Sequence, residues 1–333
     1  MAYSNVSTPV FYIDNLLYHK TMGTIQTEYT DLISMSPSTS QQYDVDNFNF
    51  YVPNLIDCDF TGNMKWYYAI LNHNFGDASN ATLTIADADA DGGNGLSVAQ
   101  TPILNGDFEF NGSSIMTSNT PLSNGYINSI FSDFQSLVIG SMSMGIQYTM
   151  PHSPDLKLNM EVEMDGTDTI TTSSGASISN IRYTGNPLWN NGNNFTNPFE
   201  VYENTLDVRQ TGVRRNGRKT WSLKFSYISD TDLFSSNPKA SSYTEHGHPD
   251  DTDYNSGDVN TTNQSLSYNI ATDDSFYAQV WNKTLGGALP FIFQPDSNFY
   301  DDFYICKFDQ DSLKVSQSAF KVYDIAVKII EVW

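Results

Sequence analysis

Alternating apolar and polar residues are the dominant pattern along this chain. Three segments place an apolar residue at every second position: Leu158, Met160, Val162 and Met164; Trp221, Leu223, Phe225 and Tyr227; and Tyr323, Ile325, Val327 and Ile329. Successive side chains of a β-strand point to opposite faces of the sheet, so a period of two predicts strands with one buried face. We therefore expect an all-β fold.

Shorter apolar runs extend this prediction to the first half of the chain. ATLTIA at residues 81–86 and SLVIG at residues 136–140 are bounded by Gly, Asn and Asp. Strands of this length, separated by turn residues, are typical of a β-sandwich. The N-terminal part is predicted to be such a sandwich.

One segment of the second half has the period of a helix instead. Its predicted apolar face consists of Phe276, Tyr277, Val280, Trp281 and Leu285. Thr272 or Asp273 is expected to cap its start, Asp274 to complement the positive end of the helix dipole, and Gly286 and Gly287 to end it.

Two polar stretches interrupt these elements, at residues 191–194 and 235–269. Neither contains enough apolar residues to bury a core of its own. Both are predicted to be surface loops, and the second is a long one.

Length and charge narrow the class of protein. A chain of 333 residues exceeds the usual size of one domain, and we expect two, at 1–139 and 140–333. Sixteen basic against 38 acidic residues give a formal net charge of −22 at pH 7. Such a charge argues against binding to the nucleic-acid backbone or to anionic lipid.

The chain shows no sequence signal for export or for a membrane. Its first twenty residues lack a basic start followed by an apolar core, and no run of about 18 apolar residues occurs. We expect synthesis in the cytoplasm and no membrane insertion. Cys58 and Cys306 lie in different halves without a metal-binding spacing and are predicted to be free thiols.

The clearest candidate metal site is a calcium loop. Asp87, Asp89 and Asp91 match the opening of the calcium-binding pattern D-x-D-x-D-G. Val98 stands where a bidentate glutamate is required, and the flanking residues resemble strands rather than helices. An acidic hairpin loop without a metal is the favoured interpretation.

Motifs of catalysis are missing from the sequence. It contains no G-x-S-x-G elbow, no phosphate loop ending in Gly-Lys, no Rossmann glycine string and no H-E-x-x-H. We therefore predict that the protein is not an enzyme and needs no cofactor.

One short stretch, VRQTGVRRNGRK, concentrates basic charge. It contains five of the sixteen basic residues: Arg209, Arg214, Arg215, Arg218 and Lys219. One interpretation is a solvated hairpin arm that turns at Asn216-Gly217. The other is an arm that docks on the acidic face of a neighbouring subunit, where complementary charge fixes the register. The sequence favours neither interpretation over the other.

The segment from about Gly140 to Trp333 resembles the ring-forming domain of tailed-bacteriophage distal tail and minor tail proteins. Four pieces carry the resemblance: VIGSMSMGIQYTMPHSPDL; SNIRYTGNPLW; RKTWSLKFSYISDTDLF; and the predicted helix leading into LGGALPFIFQPD, the closing strands and EVW. The resemblance implies a split barrel with one packed helix that forms a ring, commonly hexameric, coaxial with the tail tube. By analogy with other tail proteins, residues 1–139 are expected to be a jelly-roll or lectin-like sandwich.

The resemblance also implies a function. It predicts a structural protein of the virion tail tip, made in the host cytoplasm, that joins the tail tube to the hub, baseplate or receptor-binding fibres. Its partners would be further copies of itself, the tail tube protein, and hub or fibre proteins. The alternative is a receptor-binding or peripheral baseplate protein that recognises a host-surface glycan. Aromatic residues at 48–54 and 64–70 would then line a sugar groove, although a sandwich core is the favoured interpretation of these residues.

Overall fold

The computed structural model of this chain describes most of the predicted strand-forming segments. The described residues are 6–23, 30–36, 41–43, 47–53, 64–73, 82–88, 112–118, 126–132, 137–163, 167–181, 186–187, 215–216, 218–234, 273–299 and 302–332. Most of them lie in β-strands, so the predicted all-β fold class is confirmed. The two predicted polar loops, at 191–194 and 235–269, lie outside the described residues.

Eighteen strands and a few short helices make up the described part of the chain. In chain order the strands are β1 Val10–Asp14, β2 Gln41–Tyr43, β3 Asn47–Pro53, β4 Met64–His73, β5 Thr82–Ala88, β6 Gly112–Ser118, β7 Tyr126–Ser132, β8 Leu137–Thr149, β9 Asn159–Glu163, β10 Thr167–Thr171, β11 Ser177–Ile181, β12 Asn186–Pro187, β13 Arg215–Asn216, β14 Arg218–Ser229, β15 Phe291–Gln294, β16 Tyr304–Phe308, β17 Lys314–Ala319 and β18 Val322–Glu331. The helices are α1 Asn15–Met22, α2 Asp230–Leu233, a 3-10 turn at Thr30–Leu32 and a π-helix at Tyr277–Asn282.

One large antiparallel sheet of eleven strands organises the described residues. Its main path runs β6-β4-β8-β1-β15-β16-β18-β14-β9, with β2 paired to β8 and β17 paired to β18. A separate three-stranded sheet has the order β3-β7-β5, and β10-β11 and β12-β13 form two small ladders. The large sheet therefore joins strands from the beginning, middle and end of the chain.

Strand β1 holds the centre of this sheet. Phe11 pairs with Tyr148 of β8 on one side and with Phe293 of β15 on the other. Gly145 of β8 lies so close to β1 that a Cβ atom there would stand 1.9 Å from the carbonyl oxygen of Ile13. Only glycine fits this approach without a backbone shift.

An aromatic cluster surrounds the buried side chain of Phe11. Its ring centroid lies 5.8 Å from that of Phe276, 5.6 Å from Phe291, 5.4 Å from Phe293 and 6.0 Å from Phe308. Aromatic pairs at such distances add to the stability gained from burial. The start of the chain is thereby packed into a core that the last third of the chain supplies.

These contacts bear on the predicted boundary at 139/140 without deciding it. The boundary falls inside β8, and β1, from before the boundary, pairs with residues 145–149 of β8 and with β15, which both follow it. The two predicted units share one sheet, and the division into 1–139 and 140–333 stays a prediction.

The sequence pattern did not predict helix α1, which follows β1 without a loop. The Asp14 side chain accepts a hydrogen bond from the backbone N–H of Leu17 at 3.0 Å and so caps the helix start. Gly23 ends the helix with φ 71°, the left-handed conformation that favours glycine. Among the described residues no helix is long and apolar enough to cross a membrane.

The helix predicted after residue 272 is present as a π-helix. The Asp273 carboxylate accepts the N–H of Ser275, and the Ser275 hydroxyl accepts the N–H of Ala278, so Ser275 shares the capping role. Thr272 lies outside the described residues. Gly286 and Gly287 end the segment with φ 68° and 95°, as predicted.

The predicted alternation is confirmed for most of β14 and β18. Three β14 side chains and three β18 side chains are buried at the alternate positions: Trp221, Leu223, Phe225, Ile325, Val327 and Ile329. Tyr227 is an exception, because the ladder to β18 is irregular between Phe225 and Ile228. Tyr227 takes φ 67° in this bulge and is 77% exposed, so its predicted burial is wrong.

Replacing Phe11 with alanine should cost roughly 3–5 kcal/mol of unfolding free energy, because the change leaves a cavity inside the aromatic cluster. Phe320→Ala is the matched control, since Phe320 is 85% exposed; its effect should stay within about 0.5 kcal/mol. Chemical denaturation measures both. Equal losses in the two variants would show that β1 does not hold the core.

Candidate assembly surface

The basic stretch is divided by the fold rather than kept as one arm. Arg215 lies in β13, which pairs with β12, whereas Arg218 and Lys219 begin β14. Arg209 and Arg214 lie outside the described residues. The role of these five residues as an assembly contact stays a prediction.

Lys219 contacts β16 and β18 through both its side chain and its backbone. Its ammonium donates to the Tyr304 hydroxyl at 2.5 Å, and that hydroxyl donates to the Asp302 carboxylate at 2.6 Å. The backbone N–H of Lys219 donates to Oε2 of the buried Glu331 at 3.0 Å. Burial, and then the hydrogen bond to Asp302, raise the pKa of Tyr304. Lys219 therefore fixes the beginning of β14 against β16 and β18.

The calcium candidate lies mostly outside the described residues. Asp87 lies in β5, a strand as expected for this flank, and Asp89 and Asp91 lie outside the described residues. Within the parts of the chain that the structure describes, no three His, Cys, Asp or Glu side chains gather as a metal site requires. Cys306 is a buried free thiol, and Cys58 lies outside those parts.

The aromatic residues of β4 belong to the core. Trp66, Tyr67 and Tyr68 are all buried. Stacking on a sugar ring requires an accessible aromatic face, so these three residues are unavailable for a glycan. The core interpretation is confirmed for them, while the side chains at 48–54 lie outside the described ones.

Strand β9 exposes apolar residues that were predicted to be buried. Met160 and Val162 are 37% and 53% exposed. They pair with Trp221 and Lys219 of β14, and because Trp221 is buried, their side chains lie on the core-facing side of the sheet. The strand is confirmed but its buried face is wrong, since β9 is the last strand on the main path of the large sheet among the described residues.

A hairpin follows β9 and exposes a second apolar pair. Ile170 of β10 lies directly opposite Ile178 of β11, and the two side chains are 59% and 58% exposed. Gly175 closes the turn with φ 83°, and the Thr172 side chain bonds to both the N–H and the carbonyl of Ala176. We call β10 and β11 the arm hairpin. Its sequence signal is the alternation of Ile with Thr and Ser on both sides of Ser173-Ser174-Gly175, and the hairpin is not among the elements predicted from the sequence.

A polar cluster lies beneath β1, enclosed in the core. The Tyr67 hydroxyl and the Ser143 hydroxyl are 2.6 Å apart, and the Tyr12 hydroxyl donates to the Gln294 side chain at 2.7 Å. Asp14 is also buried here, and burial raises the pKa of its carboxyl to about 7, against the opposing effect of the hydrogen bond from Leu17. These groups orient β1 and cap α1.

A second buried polar pair links β4 to β6. His73 Nε2 lies 2.7 Å from the Ser114 hydroxyl oxygen, and both residues are buried. Burial lowers the pKa of His73 to about 3, so the ring is neutral at physiological pH. A serine and histidine enclosed in this way are inaccessible to a substrate, and we interpret the pair as structural.

The chain matches no protein-family model, no curated protein and no solved structure. We therefore infer the function from the exposed residues of β9 and the arm hairpin, from the charge of the chain and from the sequence resemblance described above. An all-β fold by itself carries no function.

The two buried groups should give opposite pH dependences. Asp14 has a raised pKa in the folded state, so its contribution to stability falls as pH rises from about 4 to 7. His73 has a lowered pKa, so its contribution rises with pH from about 3 to 6.5. The two slopes oppose each other between about pH 4 and 6.5.

Asp14→Asn keeps a good helix cap and removes the ionisation. The unfolding free energy of this variant minus that of the wild type should rise by about 4 kcal/mol between pH 4 and 7, from three pKa units at 1.36 kcal/mol each. Urea denaturation at several pH values measures this difference. Asp31→Asn, at an exposed aspartate, controls for loss of one carboxylate. If the difference in unfolding free energy between Asp14→Asn and the wild type does not change with pH, the raised pKa of Asp14 is refuted.

Proposed function

We propose that this chain is a structural protein of the virion tail tip of a tailed bacteriophage. Copies form a ring, commonly of six, that joins the tail tube to the hub, baseplate or receptor-binding fibres. Residues 140–333 would form its split-barrel ring domain with one packed helix, and residues 1–139 a jelly-roll or lectin-like sandwich. The protein would be made in the host cytoplasm, act without a cofactor and reside in the virion tail.

The observation that carries this proposal is the exposed apolar surface of β9 and the arm hairpin. Val162 of β9 and the pair Ile170 and Ile178 of the arm hairpin are each more than half exposed. Clusters of exposed apolar residues mark surfaces of protein association, and Ile170 and Ile178 lie directly opposite each other. An edge strand also offers unpaired backbone groups, which natural β-proteins pair or protect.

Charge supports a passive conduit rather than a nucleic-acid binder. The net charge of −22 opposes adhesion of DNA to the protein. Such a surface suits the wall of a passage through which DNA moves.

The glycan-binding alternative gains no support from the described residues. Its candidate groove at 64–70 supplies Trp66, Tyr67 and Tyr68 to the core instead. We therefore retain assembly as the proposed function.

Replacing Ile170 and Ile178 with serine should abolish assembly while the subunit stays folded. Both side chains are largely exposed, so the melting temperature should change by only a few degrees. Sedimentation velocity of the full chain measures the outcome, with an oligomer expected for the wild type and a monomer for the variant. Thr169→Ala with Ser179→Ala is the matched control, because this pair lies directly opposite each other on the other face of the same hairpin. A wild-type chain that stays monomeric would contradict the proposal.

A further inference from the structure

Two strands of the large sheet each have an open edge. β9 ends the main path beyond β14, and β17 lies beside residues 322–326 of β18, on the side of β18 opposite to β14. Each of these two strands pairs with one neighbour only, as far as the structure describes the chain. Every residue of β9 is exposed, and so is every residue of β17 except the half-buried Val315.

On β9 the two faces of the sheet carry different chemistry. Glu161 and Glu163 pair with Thr220 and Arg218 and lie on the outer face. The intervening Met160 and Val162 lie on the core-facing side. β9 therefore presents carboxylates on one face and apolar groups on the other.

On β17 the same division recurs with opposite charge. Lys314 pairs with Ala326, whose strand neighbours Ile325 and Val327 are buried, so Lys314 lies on the outer face. Val315 pairs with Ile325 and lies on the core-facing side, where it packs against the core. The faces of β17 and β9 therefore match across the sheet.

The charges of the two edges are complementary. β9 contains Glu161 and Glu163 and no basic residue, whereas β17 contains Lys314 and no acidic residue. Arg218, in register with Glu163, lies one strand further in, so the outermost strand itself is acidic. A contact between two β9 strands would place glutamates beside glutamates, which is unfavourable.

We propose that β9 of one copy pairs with β17 of a second copy of this chain and so continues the sheet from subunit to subunit. Continuing the sheet aligns the outer faces, which brings Lys314 beside Glu161 and Glu163. It also aligns the core-facing sides, where Val315 of β17 lies beside Met160 and Val162 of β9. Each copy has one edge of each kind, so the contact is heterologous and closes into a ring when the rotation per subunit fits. This inference rests on the proposed ring and names the edges that build it.

Charge reversal on each edge tests the pairing. The β9 variant carries Glu161→Lys and Glu163→Lys, and the β17 variant carries Lys314→Glu. Each variant alone places like charges across the contact, and roughly a hundredfold rise in the dissociation constant of assembly is expected. Sedimentation velocity of the full chain measures the oligomer, and thermal unfolding checks that each variant is folded.

An equimolar mixture of the two variants should assemble again. In the mixture, the lysines placed on β9 meet the glutamate placed on β17, and the unchanged edges also meet opposite charges. The control pair is Asp31→Lys and Lys65→Glu, at exposed positions on other elements, and it should leave assembly unchanged.

The outcomes separate this inference from the proposed function. Two results with an oligomeric wild type would overturn the β9–β17 pairing and leave the ring in place. In the first, each variant assembles as the wild type does. In the second, both variants are folded but their mixture stays monomeric. A monomeric wild type overturns both. Dissociation of each variant with recovery in the mixture supports the pairing.

Discussion

The insertion of β1 between β8 and β15 is the contact on which the rest of the described structure depends. Both of its backbone edges are used, which joins strands that lie far apart along the chain into one sheet. Phe11 carries the same connection into the core through four neighbouring aromatic rings. Without β1, the facing edges of β8 and β15 would be unpaired, and backbone groups that are buried without partners are costly.

Burial at the end of β1 also has an electrostatic consequence. Asp14 must cap α1 at the point where the chain leaves the sheet, and that point lies inside the core. The helix start favours a carboxylate, whereas desolvation disfavours its charge, and desolvation is the larger effect. His73 shows the same desolvation acting on a base. Burial of Asp14 and His73 thus makes the unfolding free energy of the protein depend on pH.

Sequence periodicity predicted the all-β class and the central strands but not the edges. Phe225 and Ile325 follow the alternation because core side chains cover both strands. Met160 alternates in the same way yet is exposed, because alternation reports which face a side chain takes and not whether another layer covers that face. Helix α1 was missed because its short apolar pattern is weak, and its signal lies in the caps. The exposure of Ile170 and Ile178 could not be predicted in the same way, because it depends on which other parts of the chain pack against the arm hairpin.

The aromatic cluster around Phe11 is buried, whereas the apolar residues of β9 and the arm hairpin are exposed. This contrast is our reason for interpreting the chain as an assembly subunit. Electron microscopy of the purified full-length protein tests that claim most directly. We expect closed rings of uniform diameter with a central opening, in which neighbouring subunits are joined edge to edge. Particles that remain single subunits at every concentration up to those of virion assembly would contradict it.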